Sequence, residues 1–356
     1  MQEHEVYMRR CLELARLGMG AVSPNPMVGA LLVHDGKVVA ENYHQRFGGP
    51  HAEVLVIEEA LAKYGDGAAT LFRNSTLYVS LEPCAHYGKT PPCAKLLAEH
   101  QLGEVVVACR DPFDEVNGKG IALMEEAGIR VTEGVMADAS RWLNRRFITR
   151  IKQQRPYVIL KWAQTADGYM APADSTQRWI TGAEAKQLVH RWRSEEDAVL
   201  VGAQTALADN PQLNVREWKG KNPKRVLIDR HLAVGATAHL LDGSTETMVF
   251  NATRTDWEGN TKYIALEDFD WYLPQKILFQ LYLMDVQSII IEGGRKTLDL
   301  FIEAGLWDEA RIFTSPQVWG SGIAAPVCHA AAADNEQVGA DRLDIYYRNS
   351  NQHSTS

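Results

Sequence analysis

The sequence predicts an α/β fold arranged in two domains, and three observations support this prediction. The chain has 356 residues, which is more than one hydrophobic core usually serves. Apolar, strand-like stretches alternate with helical stretches through short links, as in sheets that helices cover on both faces. A basic helical stretch at residues 141–152 leads into a hinge-like segment, 153–156. We therefore expect domains at residues 1–148 and 149–348, followed by a mobile polar tail at 349–356.

Local signals define the elements of the N-terminal half. Gly18 and Gly20 end an amphipathic helix, as C-terminal glycines do. Asp35-Gly36 is a strong signal for a hairpin between two strands. The predicted strands are 28–33, 37–40, 76–81 and 104–108, and the predicted helices are 6–17, 51–63, one beginning near Pro91 with Cys93 in its first turn, and 121–127.

The C-terminal half shows the same alternation, although it shares no motif with the first. Its strands are short apolar runs of the kind that parallel sheets bury on both faces. The predicted strands are 157–162, 198–201, 225–228, 247–250, 288–291 and 310–313, and the predicted helices are 183–193 and 298–304.

Charge and cysteine content narrow the classes of partner. The net charge is −8, whereas proteins that follow nucleic-acid backbones usually carry a basic face, so we expect a small-molecule substrate and no nucleic acid. No apolar run approaches the length of a membrane span, so we expect no membrane partner. An odd count of five cysteines, without a secretory leader, indicates a cytoplasmic protein.

Two short segments form the pattern of a catalytic zinc site. His51, Cys84 and Cys93 supply three ligands, which leaves the fourth tetrahedral position for water. Glu53 lies two residues beyond the histidine and is placed to transfer protons to and from that water. His-x-Glu followed by Pro-Cys and a second Cys is the signature of zinc-dependent nucleobase deaminases, although eight residues rather than two separate these cysteines. Because Cys93 opens a helix, we expect it to be a thiolate.

A structural zinc knuckle is the alternative interpretation of the same residues. It requires a fourth ligand, for which His86 is the near candidate, and it leaves Glu53 without a role. Catalytic zinc is therefore favoured. Lys89 in the loop between the cysteines is a candidate for an anionic group of the substrate, or a solvated lysine. His44 and Asn25 are candidates for the same pocket, or local hydrogen-bonding residues.

Considered alone, the C-terminal half indicates a nicotinamide cofactor less strongly than the N-terminal half indicates zinc. Gly293-Gly294 lies between a strand and a helix, where backbone amides bind phosphates, but it is equally simple turn geometry. Arg295 is a candidate for the 2′-phosphate of NADP, or a solvated residue. Asp209 is a candidate for a cofactor hydroxyl, or part of a turn. Two further pairs are candidates: Arg193 and Arg216 as clamps for a substrate phosphate, and Lys161 and Glu292 for proton transfer near the reacting carbon.

These motifs together resemble the bifunctional deaminase/reductase family of riboflavin biosynthesis. The string from Glu82 to Cys93 is the most specific part, because other cytidine-deaminase-like enzymes lack its long interval. The resemblance extends from about Glu3 to Tyr347. It rests on the segments 23–29, 51–53, 82–93, 111–112, 167–168, 179–181, 209–211 and 292–294, and on Lys161, Ala163, Thr205, Leu213 and Arg216.

The resemblance implies fold, chemistry and partners. The implied folds are a cytidine-deaminase-like three-layer α/β/α domain and a dihydrofolate-reductase-like α/β domain. The implied reactions are deamination of a diamino-ribosylamino-pyrimidinone 5′-phosphate with Zn²⁺ and then NADPH-dependent reduction of its ribosyl group to ribityl. A homo-oligomer is also implied.

The resemblance also assigns residues to the two sites. Phe113 and Gln177 depart from the family pattern, which commonly has Asn and Ser there. The deaminase substrate would contact Asn25, His44, Glu53, Lys89 and Asp111. The reductase substrate would contact Gln177, Arg193, Leu213, Arg216 and Glu292. The cofactor would contact Ala163, Trp179, Thr205, Asp209, Gly294 and Arg295.

Two other classes of function compete with this one. A nucleic-acid base deaminase with a C-terminal binding module would share the zinc signature, but the acidic net charge argues against it. A zinc-stabilised binding protein without turnover would not need Glu53.

Overall fold

The computed structural model of the chain describes residues 2–85, 91–113, 116–173 and 179–348. They form two compact units that divide between Gln154 and Arg155. The sequence predicts this boundary after residue 148. In the structure, residue 148 lies inside a helix that continues to Gln153. The predicted tail at 349–356 lies outside the described residues. None of the described helices combines the length and apolar composition that crossing a membrane requires.

The first unit is a five-stranded sheet between layers of helices. Its strands lie in the order β2-β1-β3-β4-β5; β1 is antiparallel to both of its neighbours, and β3, β4 and β5 are parallel. The described elements are α1 (Gln2–Arg16), β1 (Gly29–His34), β2 (Lys37–Tyr43), α2 (Ala52–Tyr64), α3 (Ala68–Arg73), β3 (Ser75–Val79), α4 (Cys93–Glu99), β4 (Glu104–Val107), α5 (Lys119–Glu126), β5 (Arg130–Glu133), α6 (Ala137–Leu143) and α7 (Arg145–Gln153).

Successive side chains along each strand face opposite sides of the sheet, and this explains the three layers. Leu31 and Val33 face α1, where Met8 and Cys11 complete one core. The intervening strand residues face α2, α4 and α5 and form the larger core on the opposite side. The β1–β2 turn has both central residues, Asp35 and Gly36, at positive φ, as the predicted hairpin requires.

One helix prediction in this unit is wrong. The sequence predicts a continuous helix at 141–152, whereas the structure interrupts it at Asn144 between α6 and α7. The buried amide side chain of Asn144 accepts a hydrogen bond from Met27 N at 2.8 Å and donates one to Met27 O at 2.9 Å. These bonds fix the break, because an asparagine that pairs with a distant backbone competes with regular helix geometry.

The second unit has a ten-stranded sheet in the order β11-β12-β10-β9-β8-β13-β6-β14-β17-β16. The seven strands from β12 to β14 in this order are parallel, and antiparallel strands complete both edges. The described elements are β6 (Tyr157–Thr165), β7 (Tyr169–Ala171), α8 (Ala183–Glu195), β8 (Ala198–Gly202), α9 (Ala203–Asp209), β9 (Lys224–Ile228), β10 (Thr247–Asn251), β11 (Asp256–Glu258), β12 (Thr261–Ala265), α10 (Leu273–Leu283), β13 (Ser288–Ile291), α11 (Arg295–Glu303), β14 (Glu309–Ser315), β15 (Ile323–Ala324), β16 (Ala332–Val338) and β17 (Asp341–Tyr347).

Helices cover both faces of this sheet as well. α10 and α11 pack over one core, which includes Leu160, Leu200 and Ile291. α8 and α9 pack over the other, which includes Ile159, Val201 and the aromatic ring of Trp192. Because parallel strands share one direction, the carboxyl ends of β6, β8 and β13 meet at one edge of the sheet.

Candidate active sites

The three predicted zinc ligands converge in the first unit. His51 precedes α2, Cys84 lies in the segment after β3, and Cys93 is the first residue of α4. His51 Nδ1 lies 3.7 Å from Cys84 Sγ and 3.3 Å from Cys93 Sγ, and the three ligand atoms all lie within 4.8 Å of one another. One imidazole nitrogen and two sulfurs at this spacing fit a tetrahedral zinc ion.

Glu53 occupies the position that a proton-transfer group requires. It lies in the first turn of α2, is 3% exposed, and burial raises the pKa of its carboxyl group. Its Oε2 atom has no hydrogen-bond partner within the part of the chain that the structure describes. A buried carboxylate oxygen without a partner beside three metal ligands fits a site that receives a metal-activated water and its substrate. His86, the alternative fourth ligand, lies outside the described residues.

The two cysteines share their protons unequally. The Cys93 side chain and then the His51 ring hydrogen-bond to Cys84 and lower its pKa to about 4, and the backbone amide of Cys93 donates to Cys84 Sγ at 3.3 Å. The pKa of Cys93 is raised by its bond to Cys84 and by burial. The amide at the start of α4 donates to Cys84, and the thiolate form of Cys93, which zinc binding requires, stays a prediction.

His44 lies next to His51 of this cluster, and Asn25 lies next to His44. Asn25 Nδ2 is 3.1 Å from His44 Nε2, and His44 Nδ1 is 2.9 Å from the Pro50 carbonyl oxygen. The His44 and His51 rings meet edge to face, with centroids 5.3 Å apart. Burial lowers the pKa of His44, so the neutral ring donates to Pro50 through Nδ1 and accepts from Asn25 through Nε2.

Of the remaining deaminase candidates, Lys89 lies outside the described residues. Asp111 is buried, and its Oδ1 accepts a hydrogen bond from Phe113 N at 2.8 Å. Sequence reasoning missed Glu82, whose buried carboxylate accepts from backbone amides of this loop and of α5 at 3.0–3.4 Å; the donors are Asp111, Gly118, Gly120 and Ile121. Glu82 thereby joins the segment that carries Cys84 to the segment that carries Asp111.

In the second unit a cleft of about 740 Å³, including space open to solvent, collects most of the reductase candidates. It lies at the carboxyl edge of the parallel strands, where α/β proteins bind ligands. The predicted residues that line it are Lys161, Trp179, Arg193, Thr205, Asp209, Leu213, Arg216 and Glu292.

Glu292 is the electrostatic centre of this cleft. Arg193 donates to it through two nitrogens, each 2.8 Å from a carboxylate oxygen, and Lys161 Nζ lies 3.8 Å from Oε2. Burial alone would raise the pKa of Glu292, but Arg193 and Lys161 outweigh it and hold that pKa at about 2. Burial lowers the pKa of Lys161. The site therefore holds a permanent carboxylate beside a lysine that loses its proton more readily than usual.

The predicted cofactor residues are only partly brought together. Gly294 N donates to Thr205 Oγ1 at 2.8 Å, and a Cβ at Gly294 would lie 3.0 Å from that oxygen. The Gly294 amide is thus paired with Thr205 before the first turn of α11, and phosphate binding at this turn stays a prediction. Trp179 is 65% exposed beside the cleft, and burial raises the pKa of Asp209.

Of the other predicted residues that the structure describes, Ala163, Gly294 and Arg295 are not among those that line the cleft. Arg295 bonds to Asp299 and to the backbone carbonyls of Ala324 and Ala325. Ala163 lies in β6 and packs against the core beneath α8 and α9. Gln177 lies outside the described residues.

Sequence reasoning missed three polar residues of the cleft, Thr181, Lys186 and His190. Lys186 and His190 precede Arg193 by seven and three residues on α8, so they share its face of the helix. Helical periodicity counted backwards from Arg193 would have found both.

Two family models match the chain. The cytidine and deoxycytidylate deaminase zinc-binding region matches residues 1–109, and the RibD C-terminal domain matches residues 156–343. Together with the geometry, these matches define the class: a zinc-dependent deaminase domain joined to a reductase domain. They confirm the predicted fold class, a cytidine-deaminase-like three-layer domain followed by a dihydrofolate-reductase-like domain.

Similar proteins cover nearly the whole chain. Riboflavin biosynthesis protein RibD of Aquifex aeolicus (strain VF5) is 38% identical over 324 residues, 89% of this chain and 88% of that protein. RibD of Escherichia coli (strain K12) is 34% identical over 337 residues, with coverage of 90% and 89%. The crystal structure of a diaminohydroxyphosphoribosylaminopyrimidine deaminase/5-amino-6-(5-phosphoribosylamino)uracil reductase from Thermotoga maritima has a TM-score of 0.88 at 36% identity and covers 97% of this chain and 99% of that one. The chain belongs to the RibD family.

Proposed function

We propose that the protein catalyses two consecutive steps of riboflavin biosynthesis. The first step hydrolyses an amino group from a diamino-ribosylamino-pyrimidinone 5′-phosphate, and the second reduces the ribosyl side chain to ribityl with NADPH. One observation carries this proposal. The same chain holds a three-ligand zinc cluster with a buried carboxylate and, in its other unit, a cleft where a lysine and an arginine flank Glu292.

The deaminase step depends on proton transfer by Glu53. Zinc held by His51, Cys84 and Cys93 would lower the pKa of a bound water to around 7 and so supply hydroxide at neutral pH. Glu53 takes the two protons of the attacking water in turn and delivers the first to the ring nitrogen and the second to the departing amino group, which leaves as ammonia. Asn25, held by His44, is placed to orient the pyrimidine, and Lys89 and Asp111 are the further candidates for the substrate.

The reductase step depends on the cleft of the second unit. NADPH would supply the hydride that reduces the substrate carbon. Lys161, beside Glu292, is the group that can donate the accompanying proton, and the negative charge of Glu292 favours its protonated form against the burial that lowers its pKa. Arg216 is the candidate for the substrate phosphate, since arginine binds phosphate through two parallel hydrogen bonds.

Backbone and side chains at the strand ends are the candidates for the other contacts. Thr205 and Gly294 support binding of the cofactor phosphates, and Trp179 and Asp209 are further cofactor candidates. Leu213 and Gln177 are proposed to contact the substrate, and Arg193 is proposed to act through Glu292. Ala163 and Arg295 stay candidates from the family pattern alone.

We further infer that the protein is a cytoplasmic homo-oligomer that acts on a free small molecule and not on nucleic acid. The net charge of −8 supports the last point. Light scattering on the purified protein tests the oligomer, and a binding assay with single-stranded RNA tests for nucleic-acid affinity.

Product analysis tests the proposed function. The purified protein is incubated with the diamino substrate, with and without NADPH, and the masses of the products are measured by mass spectrometry. Without NADPH, we expect a product in which NH is replaced by O. With NADPH, we expect a product that also carries two additional hydrogen atoms. Unchanged substrate under both conditions, with zinc bound, would contradict the proposal.

A further inference from the structure

His190 lies in the reductase cleft, and the proposed chemistry gives it no role. Its side chain is buried (1% exposed) on α8, three residues before Arg193 and on the same face of that helix. Burial, and then the charges of Arg193 and Arg216, lower its pKa. The ring is therefore neutral at physiological pH, so one of its nitrogens is a hydrogen-bond acceptor.

That acceptor faces the backbone of the segment that carries Arg216. Arg216 N donates to His190 Nδ1 at 3.4 Å. Arg193 Nη1 donates to the neighbouring Asn214 carbonyl at 3.3 Å. One face of α8 thus holds residues 214–216 through two side chains.

The held segment has a backbone that would not keep its shape unaided. Leu213 is buried with φ of 48°, a left-handed conformation that is unfavourable for a leucine. Such residues persist only where their surroundings fix them, and they concentrate at binding sites. The Arg216 side chain is itself oriented by the segment, since its Nη1 donates to Asn214 Oδ1 at 2.9 Å.

We propose that His190 is a positioning residue of the reductase site: its Nδ1 atom holds the backbone of Arg216 so that the guanidinium is presented to the phosphate of the substrate. This inference rests on the proposed function, because it assigns the phosphate to Arg216. It assigns His190 no contact with the reacting carbon or with NADPH.

Two amide substitutions separate this role from simple packing. Asparagine places an oxygen acceptor where Nδ1 lies, whereas glutamine reaches only the position of Nε2. In His190→Gln we expect the KM for the deaminated, phosphorylated pyrimidine to rise about tenfold, while kcat and the KM for NADPH change by less than about twofold. In His190→Asn we expect all three constants within about threefold of wild type.

A double-mutant cycle with Arg216→Ala completes the test. If His190 acts through Arg216, adding His190→Gln to Arg216→Ala leaves the substrate KM unchanged. Equal damage in the asparagine and glutamine variants, weaker NADPH binding in His190→Gln, or additive effects in the cycle would each overturn the inference. Wild-type enzyme that leaves NADPH unoxidised with the deaminated substrate would count against the proposed function instead.

Discussion

At the scale of single residues, the proposed deaminase activity depends most on Glu53. Its carboxylate is buried, has one oxygen without a partner among the described residues, and lies two positions from a zinc ligand. We expect Glu53→Gln to lower the rate of ammonia release about a thousandfold, because proton transfer by a positioned group is lost. Zinc content should stay at one per chain, since the glutamate is not a ligand.

Steady-state ammonia release and metal analysis measure both quantities. Glu58→Gln is the matched control, because Glu58 lies on the same helix but is exposed. Full activity in Glu53→Gln, or loss of zinc from it, would refute the assigned role.

The reductase pH profile tests Lys161. Burial lowers the pKa of this lysine, and only its protonated form can donate a proton. We therefore expect kcat for NADPH oxidation to fall as the pH rises through a value below the ordinary lysine range. Glu292, with its pKa at about 2, adds no change in the neutral range. In Lys161→Arg we expect kcat to fall strongly at every pH, because arginine keeps its proton and cannot donate it; full activity in this variant would exclude Lys161 as the proton donor.

The sequence indicated most of the candidate site residues, but it did not indicate which of them form ion pairs with one another. The spacing of His51, Glu53 and the two cysteines reflects chemistry that needs those residue types, so sequence alone indicated the cluster. Nothing in the sequence indicated that Glu292 pairs with Arg193, because 99 positions separate them and folding alone brings them together.

At the scale of elements, Gly29 limits how closely α1 approaches the sheet. A Cβ on Gly29 would lie 2.1 Å from the Cys11 carbonyl oxygen and 2.7 Å from Ala15 N, both backbone atoms of α1. We expect Gly29→Ala to destabilise the first unit by about 2 kcal/mol, because the helix must move away from β1. Urea unfolding, followed by hydrogen exchange in peptides from residues 2–154, measures this.

Gly67→Ala is the control for that substitution. Gly67 has φ of −75°, and no neighbouring atom lies within 4 Å of the position that a Cβ would occupy, so we expect a change within about 0.5 kcal/mol. Equal stability of the two variants would show that the approach of α1 does not depend on Gly29.

Two of the elements that the sequence analysis missed, β16 and β11, share a physical reason, whereas the buried helix α10 and the strand β12 were missed as well. β16 (Ala332–Val338) is almost entirely exposed at the edge of its sheet, and apolar and polar side chains do not alternate along it. β11 is likewise a short exposed edge strand. Strands of this kind exist because a neighbour pairs with their backbone, and pairing leaves no pattern in the side chains. The buried central strands were predicted, because their apolar runs reflect burial on two faces.

At the scale of the whole molecule, each site is built from one unit. The described metal ligands lie within residues 2–154, and the residues of the cleft lie within 155–348. We therefore expect removal of zinc with a strong chelator to abolish ammonia release and to leave NADPH oxidation on the deaminated substrate unchanged. Adding zinc back should restore ammonia release. Loss of both activities on chelation would show that the reductase step also requires the metal.

The central claim is that one chain performs both reactions in sequence. The most direct measurement follows ammonia and NADPH absorbance together in one reaction, with zinc-replete protein and the diamino-ribosylamino-pyrimidinone phosphate as the only substrate. We expect ammonia release to precede NADPH oxidation and the final amounts of both to be equal. Ammonia without NADPH oxidation would contradict the reductase assignment, and NADPH oxidation without ammonia would contradict the order of the two steps.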